Sequence, residues 1–98
     1  VFLKGDTYIE NCATEPEIKD LVEFLNIAGA KIYGGGTRFI RVCGVENLTE
    51  NIEYKPIPDR IETGTFLLAT YLLGGKVYLK GANAENIFYL IKSNIYKA

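Results

Sequence analysis

Ile18, Leu21, Val22, Leu25 and Ala28 fall at i, i+3, i+4, i+7 and i+10, and Gly29 follows at once. This spacing predicts one amphipathic helix whose single apolar stripe has to be covered by something else in the fold. Gly29 is its natural stop, as a C-cap residue. Thr14-Glu15-Pro16-Glu17 reads as the start. Thr14 is placed to cap the amide of Glu17, and the Glu17 side chain to reach back to Thr14. Pro16 fits the first turn, where its missing N–H has no partner to lose. β-prone runs flank this helix. Thr7-Tyr8-Ile9 predicts a strand that extends to Cys12, and residues 30–33 and 37–42 predict two more. Gly34-Gly35-Gly36 between them gives the chain freedom to turn back. Residues 44–51 read as polar connection and 52–57 as a further strand.

Pro58-Asp59-Arg60-Ile61-Glu62 is a second helix start, with Asp59 at the N-cap and Glu62 at N3. The helix itself is apolar nearly all round from Phe66 to Leu73, the pattern of a helix buried on most sides. Gly64 inside it costs about 1 kcal/mol relative to Ala, which suggests a close approach by a neighbouring element. Gly74-Gly75 stop it, 76–79 reads as a strand, and Asn83 is placed to cap a last helix carrying Ile87, Phe88, Leu90 and Ile91. The pattern Gly-x-Lys-apolar-Tyr occurs at Gly29 and again at Gly74, each time after a capped helix. This echo suggests a β-α-β-α building block. The final Ile95-Tyr96-Lys97-Ala98 reads as the beginning of another strand.

Composition removes several function classes. The chain has 98 residues, 48% hydrophobic and 23% charged, an ordinary balance for one globular α/β domain or part of one. No apolar run approaches the roughly 20 residues of a membrane span. Eleven basic and 12 acidic residues give a formal charge of -1, so no basic excess favours nucleic acid. The absence of His excludes His-based triads and His metal sites within these residues. Cys12 and Cys43 cannot make a four-cysteine zinc site. The absence of Met suggests a processed chain or a piece of something longer, and Val1-Phe2-Leu3-Lys4-Gly5 is too short in apolar residues for a signal peptide.

The remaining motifs each have an ordinary reading. A phosphate cradle at Gly34-Gly35-Gly36 would open into a helix. Here β-prone Thr37-Arg38-Phe39-Ile40 comes next, and the run reads as a hairpin turn. Cys12 and Cys43 lie outside any Cys-x-x-Cys motif and have no His to lower a thiol pKa, so they read as buried free thiols. Glu15, Glu17, Asp59, Arg60 and Glu62 all sit at helix starts. There acids serve caps and dipoles, or face a cleft.

Glu10-Asn11-Cys12-Ala13-Thr14-Glu15-Pro16-Glu17-Ile18, with Asp20-Leu21, resembles the E-N-A-A-x-E-P-E-I-x-D-L segment of the UDP-N-acetylglucosamine enolpyruvyl transferase family. Phe24-Leu25-Asn26, Gly29-Ala30-Lys31-Ile32, Gly36-Thr37 and Gly44-Val45-Glu46 continue the resemblance. Pro58-Asp59-Arg60-Ile61-Glu62-Thr63-Gly64-Thr65-Phe66-Leu67 is close to identical to a signature of that family. The resemblance runs from Thr7 to Ile91. It departs at Glu50-Asn51-Ile52-Glu53, where the family has a glycine-containing turn, and at Tyr71-Leu72-Leu73, which replace smaller residues. Residues 83–97 match only in apolar pattern.

The resemblance implies an α/β (α+β) fold, with this chain as one β-α-β-α-β-β unit of the family's inside-out barrel plus part of a neighbouring unit, residues 1–98 being a single fragment of one domain. It implies transfer of enolpyruvyl from phosphoenolpyruvate to the 3'-hydroxyl of UDP-N-acetylglucosamine, the first committed step of peptidoglycan synthesis, in the cytoplasm and without cofactor or metal. The family's Lys-Asn pair, Cys-bearing loop and phosphate-binding arginines match no segment here, so no catalytic residue is expected in this chain and the fragment alone is expected to be inactive. Glu15 and Asp59 match family acids that line the cleft between domains, with Arg60 and Glu62 as near neighbours. A non-catalytic binding or structural module on the same fold is the alternative. Self-association of the fragment is expected from apolar surface left without its partners.

Overall fold

In the computed structural model, which describes residues 1–83, the elements run β1 (Asp6–Glu10), α1 (Pro16–Ile27), β2 (Lys31–Tyr33), β3 (Phe39–Cys43) and α2 (Arg60–Leu73). The chain divides into two units, Val1–Ile57 and Pro58–Ala98.

In the first unit, β2 and β3 form an antiparallel hairpin, with Lys31 opposite Cys43 and Tyr33 opposite Arg41. β1 pairs antiparallel with the other side of β3, from Asp6 opposite Cys43 to Glu10 opposite Phe39, which gives the order β1-β3-β2. Because side chains alternate along a strand, Ile32, Ile40 and Val42 share one face. α1 covers that face with Ile18, Val22 and Leu25, around a buried centre of Ala30, Ile32 and Ile40. Leu21, expected on the same stripe, is 53% exposed.

The helix start differs from expectation. The N-cap of α1 is Glu15, with no side-chain cap bond, and the box expected at Thr14 does not form. The cause is Pro16, which disfavours helical geometry at the residue before it, and Glu15 sits at φ −58°, ψ 151°. The helix end obeys the glycine rule. Gly29 takes φ +108°, its amide donates to the Asn26 carbonyl at 3.1 Å, and the Ala30 amide donates to the Leu25 carbonyl at 3.0 Å. These two bonds make a Schellman motif.

The strands are shorter or displaced relative to the sequence pattern. β1 ends at Glu10 because Asn11 turns into the left-handed region at φ +56°. β3 starts at Phe39, since a turn closed by the Thr37 amide on the Gly34 carbonyl takes up the preceding residues. Residues 52–57 form no strand. Pro56 removes a ladder donor there, and side-chain bonds to α1 hold the segment instead. Residues 76–79 are also irregular, with Gly74 and Gly75 both at positive φ before them. A strand exists only as part of a ladder, and 76–79 joins none among the described residues. The echo at Gly29 and Gly74 is therefore one of sequence, not of structure. The helix expected after Asn83 and the strand at Ile95 lie outside the described residues.

In the second unit, α2 is capped by Asp59 and ends at Gly74, whose amide donates to the Thr70 carbonyl at 2.9 Å. Gly64 is its buried residue. The expectation of a helix buried on most sides fails within this chain. Phe66, Tyr71, Leu72 and Leu73 are exposed, Leu73 by 87%. Pattern reports that a helix needs covering but does not supply the cover.

Gly35 carries the closest packing between hairpin and helix. A Cβ there would lie 2.7 Å from Val22 Cγ1. Gly35→Ala is expected to destabilise the unit by about 1–3 kcal/mol through overpacking, and Val22→Ala in the same chain to recover part of that loss. Denaturant unfolding of the four proteins of this cycle checks it, and purely additive effects would contradict the contact.

Candidate functional site

Among the four residues singled out in the sequence, three come together. Asp59 caps α2, Arg60 is its first residue and Glu62 completes the first turn. Asp59 Oδ1 accepts from the amides of Ile61 at 2.9 Å and Glu62 at 3.2 Å. These are amides that the helix itself leaves without partners. Asp59 and Glu62 also line a cleft of about 260 Å³ together with Thr63, Phe66, Tyr78 and Lys80. Glu15 belongs to the first unit, at the start of α1, and is not among the residues lining this cleft.

The cleft combines two carboxylates, one ammonium and two aromatic rings. The acids lie at the positive end of the α2 dipole. Carboxylates accept hydrogen bonds from hydroxyl and amide groups, and Lys80 offers a cation to an anionic group. Among the described residues, no three acidic or thiol side chains converge on one point as a metal would need. Tyr78 and Lys80 were not singled out in the sequence. Their only signal is the Lys-led apolar run after Gly75, which reads as a strand.

The thiols take no part in this cleft. Both cysteines are free and half-buried rather than buried. Cys43 lies opposite Asp6 in the β1–β3 register. Its hydrogen bond to the Asp6 carboxylate, together with a smaller effect of burial, pushes the Cys43 thiol up, which disfavours the nucleophilic thiolate. The same thiol, and then Arg41, holds Asp6 below the usual carboxylate range. Arg41 pairs with Asp6 at 3.1 Å and lies over the Tyr33 ring at 5.4 Å. Half-exposed pairs of this kind contribute little to stability.

A second polar cluster, also without a role in the sequence reading, joins α1 to the segment ahead of α2. The Tyr54 hydroxyl donates to Asp20 Oδ1 at 2.6 Å, the Ile57 amide donates to the same oxygen at 3.3 Å, and the Tyr54 ring packs on Phe24 at 5.4 Å. The bond to Asp20, with burial and the charges of Asp20 and Glu23, pushes the Tyr54 phenol up to about 12. A raised pKa favours the protonated phenol in the folded chain. Its contribution is therefore complete below the ordinary tyrosine pKa and is lost as pH rises through about 12.

The family model described as EPSP synthase (3-phosphoshikimate 1-carboxyvinyltransferase) matches residues 1–94. The chain belongs to that family. Among curated relatives, the UDP-N-acetylglucosamine 1-carboxyvinyltransferase of Thermodesulfovibrio yellowstonii is 51% identical over 88 residues, 90% of this chain and 21% of the relative. The protein of the same name from Thermobifida fusca is 52% identical over 83 residues, 85% of this chain and 19% of the relative. UDP-N-acetylglucosamine 1-carboxyvinyltransferase 2 of Clostridium tetani is 49% identical over 87 residues, 89% of this chain and 21% of the relative. The chain spans about a fifth of the length of these curated relatives.

The cap bonds decide how Asp59 responds to substitution. Asp59→Ala is expected to lower the stability of α2 by about 0.5–2 kcal/mol, and Asp59→Asn, which keeps an acceptor at the cap, to cost much less. Thermal unfolding followed by circular dichroism checks this. Equal losses in the two variants would show that the carboxylate's charge, not its acceptor oxygen, holds the helix start.

Proposed function

We propose that this chain is part of an enolpyruvyl transferase that moves enolpyruvyl from phosphoenolpyruvate to the 3'-hydroxyl of UDP-N-acetylglucosamine, with release of phosphate, in cytoplasmic peptidoglycan synthesis. The observation that carries this reading is 51% identity over 90% of the chain to a relative named for that acceptor and that group. Similarity at that level also supports one β-α-β-α-β-β unit of an inside-out barrel, with part of its neighbour, as the setting of α1 and α2. In the reaction the acceptor hydroxyl oxygen bonds to the enolpyruvyl carbon, loses its proton, and phosphate leaves with the electrons of the broken C–O bond.

Asp59 serves this protein twice. Its Oδ1 caps α2, and its charge contributes to the field in a cleft where a hydroxyl is to lose a proton. Glu62 lines the same cleft, and Glu15 and Arg60 are proposed as substrate-site residues of the full-length protein on the strength of the resemblance alone. Residues that cover about a fifth of such a protein cannot position two substrates alone, because near-attack geometry needs groups from several segments. The apolar face of α2 then makes the isolated chain self-associate.

A phosphate-release assay with both substrates tests the reading. The isolated chain is expected to show no turnover above background, and sedimentation at rising concentration to show a rising mean mass. The full-length protein containing this chain is expected to turn over, and Asp59→Asn to lower its rate while leaving thermal unfolding nearly unchanged. Turnover that scales with the purified chain would overturn the fragment reading. Unchanged kinetics in the Asp59→Asn protein would leave Asp59 a cap and nothing more.

A further inference from the structure

We infer that Lys80 and Tyr78 are substrate-binding residues of the cleft beside α2, where they hold the phosphate side of a hydroxyl-bearing phosphate ester; this rests on the proposed transferase activity. A helix start can hold an anion on its first amides, which have no partners within the helix. In α2 those donors are already committed. The amides of Ile61 and Glu62 donate to Asp59 Oδ1 at 2.9 and 3.2 Å. The Thr63 amide and hydroxyl donate to the Asp59 carbonyl at 3.1 and 3.0 Å. Among the described side chains that line the cleft, two donors remain, the Lys80 ammonium and the Tyr78 hydroxyl, and no hydrogen bond or ion pair within the described residues occupies either. Tyr78 is 89% exposed, so its hydroxyl is within reach of a ligand.

The cleft is therefore divided by chemistry within the second unit. On one side stand the carboxylates of Asp59 and Glu62, on the other Lys80 and Tyr78. An ionised carboxylate accepts and cannot donate, so it binds hydroxyl groups and repels phosphate. An ammonium has three donors and no acceptor, and it bonds most strongly to an anionic oxygen. Phe66 and the Tyr78 ring add apolar surface for the carbon skeleton of the ligand. A sugar phosphate satisfies all three demands. Of the two substrates proposed above, the nucleotide sugar has these groups. Phosphoenolpyruvate is anionic at both ends and has no hydroxyl, so two acids oppose its entry. The cleft volume of about 260 Å³ lies just below the range of roughly 300–1,000 Å³ of sites for larger ligands, which suits the sugar and its neighbouring phosphate rather than the whole nucleotide. Phosphate at Lys80 leaves the sugar hydroxyls toward Asp59, the acid proposed to act on one of them.

Lys80→Gln removes the charge and keeps a polar side chain, and Lys80→Arg keeps the charge. In the full-length protein, isothermal titration calorimetry with UDP-N-acetylglucosamine alone is expected to show binding weakened about 10-fold or more by Lys80→Gln and far less by Lys80→Arg. Tyr78→Phe, which removes a neutral donor and keeps the ring, is expected to weaken binding by less than Lys80→Gln does. In steady-state kinetics, Lys80→Gln is expected to raise KM for the nucleotide sugar by a similar factor, with KM for phosphoenolpyruvate changed far less. Unchanged binding in Lys80→Gln, an equal loss in Lys80→Arg, or a rise confined to KM for phosphoenolpyruvate would overturn the assignment. The calorimetry needs no turnover, so it separates the two claims. A full-length protein that binds the nucleotide sugar through Lys80 and transfers nothing would overturn the proposed reaction and uphold the site. Turnover with wild-type KM values in Lys80→Gln would overturn the site and uphold the reaction.

Discussion

The side chain of Asn26 holds the first unit together at its most vulnerable place. Its Nδ2 donates to the Ile32 carbonyl and its Oδ1 accepts from the Ile32 amide, each at 2.9 Å. Among the described residues β2 is an edge strand, and these are the backbone groups that β3 leaves unpaired on its outer side. An amide side chain has one acceptor and two donors, which lets it stand in for a neighbouring strand at one residue. The Schellman bonds at Gly29 and Ala30 lie between Asn26 and Ile32, so the chain leaves α1 and enters β2 in a single arrangement. The Thr49 amide closes the same corner by donating to the Ala28 carbonyl at 2.7 Å.

This corner matters because little apolar mass supports it. Among the described residues, the buried hydrophobic ones are Ala28, Ala30, Ile32 and Ile40, and two of these four are alanines. A unit of this size buries a smaller fraction of its surface than a larger domain does and is marginal on hydrophobic grounds. Directional bonds therefore decide the arrangement that the apolar stripe of α1 only permits. The same holds further along. Asp20 and Tyr54 secure an irregular segment that has no ladder, and Asp59 secures the start of a helix whose apolar residues are largely exposed.

Features governed by local chemistry were legible in the sequence. The α1 stripe, the glycine end of that helix, the hairpin at Gly34-Gly35-Gly36 and the Asp59 cap each depend on a few neighbouring residues, and each is present. The capping box at Thr14 was misread because two local rules compete there, and the restriction before Pro16 prevails. The strands at 52–57 and 76–79 were misread because β-propensity says nothing of a partner strand. In the site, the spacing marked Asp59 and Glu62 as a helix start, and both also line the pocket beside α2. Lys80 and Tyr78 were not legible, because their place depends on how an irregular segment returns to α2. Asp20 and Tyr54 were equally hidden, since their bond spans chain positions that no short motif connects.

The first unit depends on the Asn26 clamp more than on its apolar core. Equilibrium urea unfolding of Asn26→Ala beside the unaltered chain tests this claim most directly. Removing both partners of the Ile32 backbone is expected to cost about 1–3 kcal/mol, with faster hydrogen exchange at the Ile32 amide than elsewhere in the sheet. An unfolding midpoint within error of the unaltered chain, with the Ile32 amide as protected as before, would contradict the account.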